Sequence, residues 1–157
     1  MVRDYDFCTC VEFSVGHSLL VGDFQGTKEK IANAFKIKEH ALKANELQPK
    51  DATTLHLLGR WCFGVSNIGW MERKLASTLF GTPPESTYDE ALKYFLEAHE
   101  VNPEMRRNLL YIGDTYVALK QKPQAAEFYQ KLVDMETTSA FDKSLQDEAK
   151  QKLSKVK

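Results

Sequence analysis

The chain has 157 residues, of which 43% are hydrophobic and 27% charged, and this composition is typical of a domain that buries its own core without disulfides. Its formal net charge of −1 excludes a global field that would attract nucleic acid or an anionic membrane. No stretch reaches the roughly 18 apolar residues of a membrane span, and the acidic N-terminal residues do not suit a signal peptide, so we expect a cytoplasmic protein.

The first predicted helical pair occupies residues 5–20 and 27–47. Apolar residues in the first segment fall near helical spacing, although residues 10–15 also fit a strand. The second segment reads as a long helix that ends before Pro49. The predicted helix has one largely apolar face, which consists of Ile31, Ala34, Phe35, Lys38, Leu42 and Leu47. We expect this face to pack inward.

The next two helical pairs each contain a copy of the same sequence pattern. The second pair consists of residues 52–66 and 88–101, and the third pair consists of residues 105–120 and 124–135. The first copy reads Leu55-x-x-Leu58-Gly59-x-x-Cys62, then Ala91-x-x-x-Phe95, then Pro103. The second copy reads Leu109-x-x-Ile112-Gly113-x-x-Tyr116, then Ala125-x-x-x-Tyr129, with Lys122-Pro123 at the turn. Both fill most slots of the tetratricopeptide pattern. The sequence therefore predicts an all-α, tetratricopeptide-like α-α superhelix of about three helical pairs.

The two glycines of these copies indicate close helix packing. Glycine in a helix interior costs about 1 kcal/mol relative to alanine, so Gly59 and Gly113 must meet a need that alanine cannot. We expect Gly59 and Gly113 to admit the large side chains of the neighbouring helix in a helical hairpin.

An insertion at about residues 67–86 interrupts the second pair. The equivalent glycines lie 54 residues apart, whereas the repeat period is about 34 residues. The extra stretch has apolar residues at i, i+4 and i+8, namely Met71, Leu75 and Leu79. This spacing predicts a short helix over about residues 70–79 that covers the hairpin. Ser86 or Thr87 should cap the helix that follows.

The last predicted helix spans about residues 141–156. Apolar residues recur in it every four positions, at Phe141, Leu145, Ala149 and Leu153. The rest of its surface is polar, as is needed in a helix that caps a stacked array. With this cap, we predict that residues 1–157 form a single domain.

Several stretches also resemble the regulator of microtubule dynamics protein family. They are residues 30–35 (KIANAF), 39–40 (EH), 49–53 (PKDAT), 56–62 (HLLGRWC) and 79–88 (LFGTPPESTY). The last is the most specific, because it lies in the insertion that ordinary repeats lack. The resemblance covers residues 22–119 and implies a tetratricopeptide-like adaptor that is cytoplasmic, microtubule-associated and linked to spindle function. One branch of the family is placed at contacts between mitochondria and endoplasmic reticulum.

Motifs of catalysis, of phosphate binding and of metal binding are missing from the sequence. The histidines His17, His40, His56 and His99 lack ligand spacing, and the three cysteines Cys8, Cys10 and Cys62 favour reduced thiols. We therefore predict a protein that is not an enzyme and has no cofactor.

The candidate site is a peptide-binding groove formed by the first helix of each pair. The groove-facing positions are Thr53, His56, Arg60 and Phe63 on residues 52–66, and Arg107, Leu110, Asp114 and Val117 on residues 105–120. Arg60 and Arg107 would then stand in one groove and hold a carboxylate or phosphate in bidentate fashion. The alternative is two solvated arginines paired with Asp114 or Glu104.

Three functions follow as hypotheses. The leading one is a protein-binding adaptor that docks an acidic extended segment, such as the acidic tails of tubulin, and so attaches to microtubules. Other protein partners remain open, and nucleic acid is not expected. The second is a lipid-binding or membrane-contact-site module whose pocket is lined by residues 70–80. The third is a self-assembly scaffold.

Overall fold

The computed structural model describes residues 27–69, 73–74, 77–78 and 85–156. Within these ranges all regular secondary structure is helical, which confirms the predicted all-α class. Six helices lie there: α1 (Thr27–Leu47), α2 (Ala52–Ser66), α3 (Tyr88–Val101), α4 (Arg106–Ala118), α5 (Lys122–Asp134) and α6 (Ala140–Val156). The bounds of the first three coincide with the predicted ones. Of these helices, none is both long enough and apolar enough to cross a membrane.

Successive helices pack as neighbours, α2 on α3, α4 on α5 and α5 on α6. The end of α2 meets the start of α3, where the Tyr88 hydroxyl donates to Asn67 Oδ1 at 3.2 Å, so these helices are antiparallel. α6 also lies beside α4. Ion pairs Arg106–Asp142 and Asp114–Lys152 join the two in the same order along both helices, which therefore run parallel. α6 thus occupies the place of the first helix of a further pair.

The two repeat glycines lie under aromatic rings. A Cβ built on Gly59 would come within 2.5 Å of Phe95 Cδ1, and one built on Gly113 would overlap the ring of Tyr129. Phe95 and Tyr129 are buried in the core. The predicted role of both glycines is confirmed, because only a residue without a side chain leaves room for the ring.

The buried face of α1 differs from the predicted one. Ala41 and Ala44 are buried, and Ala41 packs against Leu58 of α2. Three members of the predicted face are exposed instead: Phe35, Leu42 and Leu47. The prediction was wrong at these positions because small alanines, rather than large side chains, let α1 approach α2 closely. Lys38 does face α2, with its Nζ 4.5 Å from the centroid of the Trp61 ring.

The turn between α4 and α5 also lies earlier than predicted. α5 begins at Lys122, so Pro123 is in the first helical turn and not in the connection. Proline is tolerated there because the first N–H groups of a helix have no intrahelical acceptor. The chain reverses direction at Lys120, whose φ is 62°. The N–H of Gln121 donates to the carbonyl of Tyr116 at 2.8 Å, which closes a Schellman motif.

α6 caps the array with three of its four predicted apolar residues. Leu145, Ala149 and Leu153 are buried. Phe141 is 54% exposed, so the prediction was wrong at this position. The first turn of α6 lies beside the first turn of α4, where the Phe141 ring contacts the guanidinium of Arg107 and does not enter the core.

Two predicted features fall wholly or largely outside the described residues. The helix over residues 5–20 is one of them. In the insertion, residues 73–74 and 77–78 are helical, as expected, and the other positions of the predicted helix are not described. Thr87 caps α3 through a capping box, in which its hydroxyl accepts from the Glu90 N–H at 3.2 Å.

Candidate functional site

Tyr111 of α4 joins three helices at the centre of the candidate site. The centroid of its ring lies 5.5 Å from that of His56 and 5.9 Å from that of Phe63, both on α2 and both edge to face. The Phe95 ring of α3 lies 5.5 Å away. Ring pairs of this kind contribute roughly 0.5–1.5 kcal/mol each beyond the area they bury. They fix α4 against the hairpin formed by α2 and α3.

A buried hydrogen-bond chain runs beside Tyr111 from α2 through α4 to α3. His56 Nδ1 lies 2.9 Å from Asn108 Oδ1, and Asn108 Nδ2 donates to the carbonyl of Phe95 at 2.8 Å. Because the Asn108 oxygen is the acceptor, the ring proton of His56 is assigned to Nδ1. Asn108 is fully buried and His56 nearly so.

His56 is therefore a neutral part of the site. Burial lowers the pKa of His56 to about 4, against the opposing effect of the Asn108 hydrogen bond. The positive charges of Arg60 and Arg107 lower it further. Arg60 lies over the Tyr111 ring and Arg107 lies one helical turn before Tyr111 on α4, so the structure brings the two predicted arginines to one side of the molecule.

Arg60 and Arg107 each lie over an aromatic ring. The Cζ of Arg60 is 5.4 Å from the centroid of Tyr111, and the Cζ of Arg107 is 5.1 Å from that of Phe141. Within the described ranges, neither guanidinium has a carboxylate within 4.0 Å. A guanidinium that rests on a ring keeps its N–H edges free for a planar anion such as a carboxylate or phosphate.

These side chains form a band that we call the arginine–aromatic strip: Arg60, Phe63, Tyr111, Arg107 and Phe141. It crosses α2, α4 and α6. Arg107 and Tyr111 are four residues apart and so lie one turn apart on the same face of α4. Arg107 and Phe141 are exposed, and the other three members are partly exposed. The strip therefore offers positive charge and apolar ring surface side by side.

Asp114 belongs to a different cluster, which fastens α6 to α4 and α5. The Tyr129 hydroxyl donates to Asp114 Oδ1 at 2.6 Å, and Lys152 Nζ donates to Asp114 Oδ2 at 2.6 Å. Burial raises the pKa of the Tyr129 phenol, as does its bond to the Asp114 carboxylate. Burial opposes the charge of Lys152, but hydrogen bonds to Asp114 and Glu148 raise its pKa overall. Asp114 is thus occupied by Lys152 and does not pair with either strip arginine.

Three other residues predicted for the groove, Leu110, Val117 and Thr53, are not part of the arginine–aromatic strip. Leu110 is buried in the core, and Val117 is 40% exposed. Thr53 is partly exposed near the start of α2. Of the predicted set, the structure brings together His56, Arg60, Phe63 and Arg107. His56 lies below the surface, so it supports the site and does not face a ligand.

Sequence reasoning missed Asn108, Tyr111 and Phe141. Asn108 follows two arginines and has no pattern that marks it, whereas Tyr111 follows Arg107 by one helical turn, which is the signal that could have identified Tyr111. Phe141 continues the four-residue apolar spacing of α6, and that spacing is typical of core residues. Its contact with Arg107 depends on the parallel placement of α6 beside α4, which no local pattern reveals.

The one cysteine in the described part of the chain, Cys62, is buried and forms no disulfide. Burial raises the pKa of the Cys62 thiol, which disfavours the nucleophilic thiolate. No group of three or more histidine, cysteine or acidic side chains among the described residues is placed to hold a metal ion.

Comparison with known proteins places the chain among relatives of one kind. The family model described as "Regulator of microtubule dynamics protein 1-3" matches residues 17–157. The chain is 50% identical to regulator of microtubule dynamics protein 1 of Bos taurus over 134 residues, which are 85% of this chain and 42% of that protein. It is 38% identical to protein 1 of Caenorhabditis elegans over 136 residues, 87% of this chain and 60% of that protein. With protein 3 of Xenopus laevis the identity is 36% over 124 residues, 78% of this chain and 27% of that protein. The chain therefore spans less than two thirds of the length of these relatives.

Proposed function

This chain belongs to the regulator of microtubule dynamics protein 1-3 family, and from that premise we propose that it is a non-enzymatic adaptor that binds microtubules through acidic extended segments of tubulin. The proposed place of action is on cytoplasmic microtubules, including those of the spindle. The observation that supports the binding mode is the pair Arg60 and Arg107, two positive groups near one imidazole without a carboxylate partner among the described residues.

An acidic extended segment fits the arginine–aromatic strip for two reasons. Each carboxylate can receive two N–H bonds from one guanidinium, and such charge-assisted bonds are about twice as strong as neutral ones. The rings beneath the guanidiniums limit their motion, so less side-chain entropy is lost when the segment binds. Because both arginines are at least partly exposed, the attraction must weaken as salt rises.

Co-sedimentation with polymerised tubulin tests the proposal. The 157-residue chain should pellet with intact microtubules, and the bound fraction should fall several-fold when the acidic tails of tubulin are removed by limited proteolysis. It should also fall as the salt concentration increases. Equal pelleting with intact and tail-less microtubules would refute the role of the acidic segment.

Charge variants assign the binding to the strip. The double variant Arg60→Gln and Arg107→Gln should lower the affinity for intact microtubules at least about tenfold, because two charge-assisted contacts are lost. The matched control Lys93→Gln and Lys155→Gln removes the same charge from two exposed lysines outside the strip. It should bind almost as well as the parent chain. An equal loss in both variants would show that only net charge matters.

A further inference from the structure

Phe141 is an apolar side chain that the fold places at the surface beside a positive charge. It continues the apolar stripe of α6, whose other members are buried, yet it is 54% exposed. Its ring contacts the Arg107 guanidinium, and no other described ring covers it. A large ring left in water forgoes the free energy that burial would give it.

The position of Phe141 relates it to the strip and not to the core. It lies at the α6 end of the strip, next to Arg107, and Tyr111 lies one turn further along α4 from Arg107. An extended chain that pairs its carboxylates with Arg107 and Arg60 therefore passes close to this ring at the Arg107 end of the strip. In an extended segment the side chains at positions i and i+2 point to the same side, so an apolar residue close to an acidic one can contact Phe141 while the carboxylate binds Arg107.

We infer that the acidic segment bound by the strip carries an aromatic or large aliphatic side chain next to its acidic residues, and that this side chain packs on Phe141. The inference rests on the proposed function, since it concerns the same surface. Charge complementarity selects the acidic residues, and the exposed ring selects the apolar one. A uniformly acidic segment would satisfy the arginines and leave Phe141 in water.

Fluorescence anisotropy with three labelled peptides tests this inference. The peptides share length and net charge, and consist of glutamate and glycine with a single Phe, Leu or Ala near one end. The parent chain should bind the Phe and Leu peptides about five- to tenfold more tightly than the Ala peptide, because a partly exposed ring becomes covered. Phe141→Ala should abolish that preference, and it should also weaken binding of the Ala peptide to a smaller extent, because Arg107 loses the ring on which its guanidinium rests.

Three other variants separate the contribution of the Phe141 ring from that of the arginines. Val101→Ala removes an exposed apolar side chain that is 44% accessible at the end of α3, and it should retain the preference. Phe141→Leu should retain part of it. The double arginine variant should weaken binding of all three peptides.

Failure of the inference and failure of the proposed function have different signatures. If the parent chain binds all three peptides equally and Phe141→Ala has no effect, the inference is wrong while acidic-segment binding stands. If no peptide binds and tail removal does not affect co-sedimentation, the proposed function is wrong as well. Light scattering that shows dimers lost on Phe141→Ala would assign the ring to a second copy of the chain and overturn the inference.

Discussion

Gly59 lies directly against the ring of Phe95, and this contact sets the distance between α2 and α3. A Cβ on Gly59 would come within 2.5 Å of Cδ1 of Phe95, whose own side chain is fully buried. The same relationship holds between Gly113 and Tyr129 in the hairpin of α4 and α5. The same contact between a glycine and an aromatic ring therefore occurs in both hairpins, and the two glycines are 54 residues apart in the sequence.

Gly59→Ala should destabilise the protein by about 1–2 kcal/mol. Overpacking of a buried site costs about 1–3 kcal/mol, and the better helix propensity of alanine recovers up to about 1 kcal/mol. Urea denaturation followed by circular dichroism measures the change. Gly64 offers a control on the same helix, since a Cβ there meets nothing within 4 Å. Gly64→Ala should stabilise by up to about 1 kcal/mol. Two changes of the same sign would contradict the proposed packing.

Much of the fold could be predicted because repeat pattern, helix ends and core packing agree along the chain. Thr87 caps the N-terminus of α3 by accepting a backbone N–H, and Ala91 and Phe95 lie on the buried face of that helix. The face of α1 could not be predicted this way, because Phe35 and Leu42 are as apolar as core residues. Which face is buried depends on how closely α1 approaches α2, and that distance is a tertiary property.

The candidate site could be predicted in part. The pattern of α2 and α4 predicts that Arg60 and Arg107 share one groove. The structure places Arg60 over Tyr111 and Arg107 one helical turn from Tyr111, and the groove itself stays a prediction. The contribution of Phe141 could not be foreseen, since it comes from a helix 30 or more residues further along the sequence. Contacts between elements remote in sequence are not encoded in local periodicity.

The His56–Asn108 hydrogen bond should couple two helices energetically. Asn108→Ala should cost about 2–3 kcal/mol, because it leaves both His56 Nδ1 and the carbonyl of Phe95 without their buried partner. In a His56→Leu background the same substitution should cost about 1 kcal/mol less. The double-mutant cycle is measured by chemical denaturation. Strictly additive changes would show that the two side chains do not act as a unit. Gln151→Ala, at an exposed position of α6, should alter the stability by no more than about 0.5 kcal/mol.

His56 should make the protein less stable as the pH falls from about 6.5 to about 4. In the unfolded chain its pKa is near 6.5, whereas the folded state lowers the pKa of His56 to about 4. Between these values the unfolded state binds a proton that the folded state does not, so acidification favours unfolding. The full difference corresponds to about 3 kcal/mol. The contribution of His56 is measured by comparing how the free energy of unfolding depends on pH in the parent chain and in His56→Gln.

His99 is present in both the parent chain and His56→Gln, so its titration does not affect the difference between them. Burial also lowers the pKa of His99, so the parent chain and His56→Gln share the pH dependence of that residue. Only the His56 contribution differs between the two proteins. If both lose stability equally between pH 6.5 and 4, His56 is not neutral and buried in the folded state.

Lys120→Gly should stabilise the protein by about 0.5–1 kcal/mol. Lys120 has a φ of 62° in the Schellman motif at the end of α4, a conformation that costs an L-residue with a side chain about 1–2 kcal/mol. Glycine avoids this cost, but its greater freedom in the unfolded chain removes part of the gain. Thermal unfolding measures the change. The opposite sign is expected for Lys143→Gly in the exposed interior of α6, which should cost about 1 kcal/mol. A loss of stability in Lys120→Gly would contradict the assigned turn.

Lys152→Gln should loosen α6, because it removes the cation that joins this helix to α4. Lys152 Nζ lies 2.6 Å from Asp114 Oδ2 and 2.9 Å from Glu148 Oε1, and the Asp114 carboxylate also accepts the Tyr129 hydroxyl. Loss of this partly buried pair should cost about 1–2 kcal/mol, more than an exposed ion pair contributes. Hydrogen-exchange measurements should show faster exchange first in the backbone amides of α6, since that helix lies at the end of the array.

The matched control for this variant is Lys150→Gln on the same helix. Lys150 pairs with Asp147 at 3.4 Å, and both side chains are about half exposed, so its loss should change stability by less than about 0.5 kcal/mol. If the two variants behave alike, the link between α4 and α6 does not depend on Asp114. In that case the Arg106–Asp142 ion pair and the buried stripe of Leu145, Ala149 and Leu153 hold α6 in place, and with it the position of Phe141 beside Arg107.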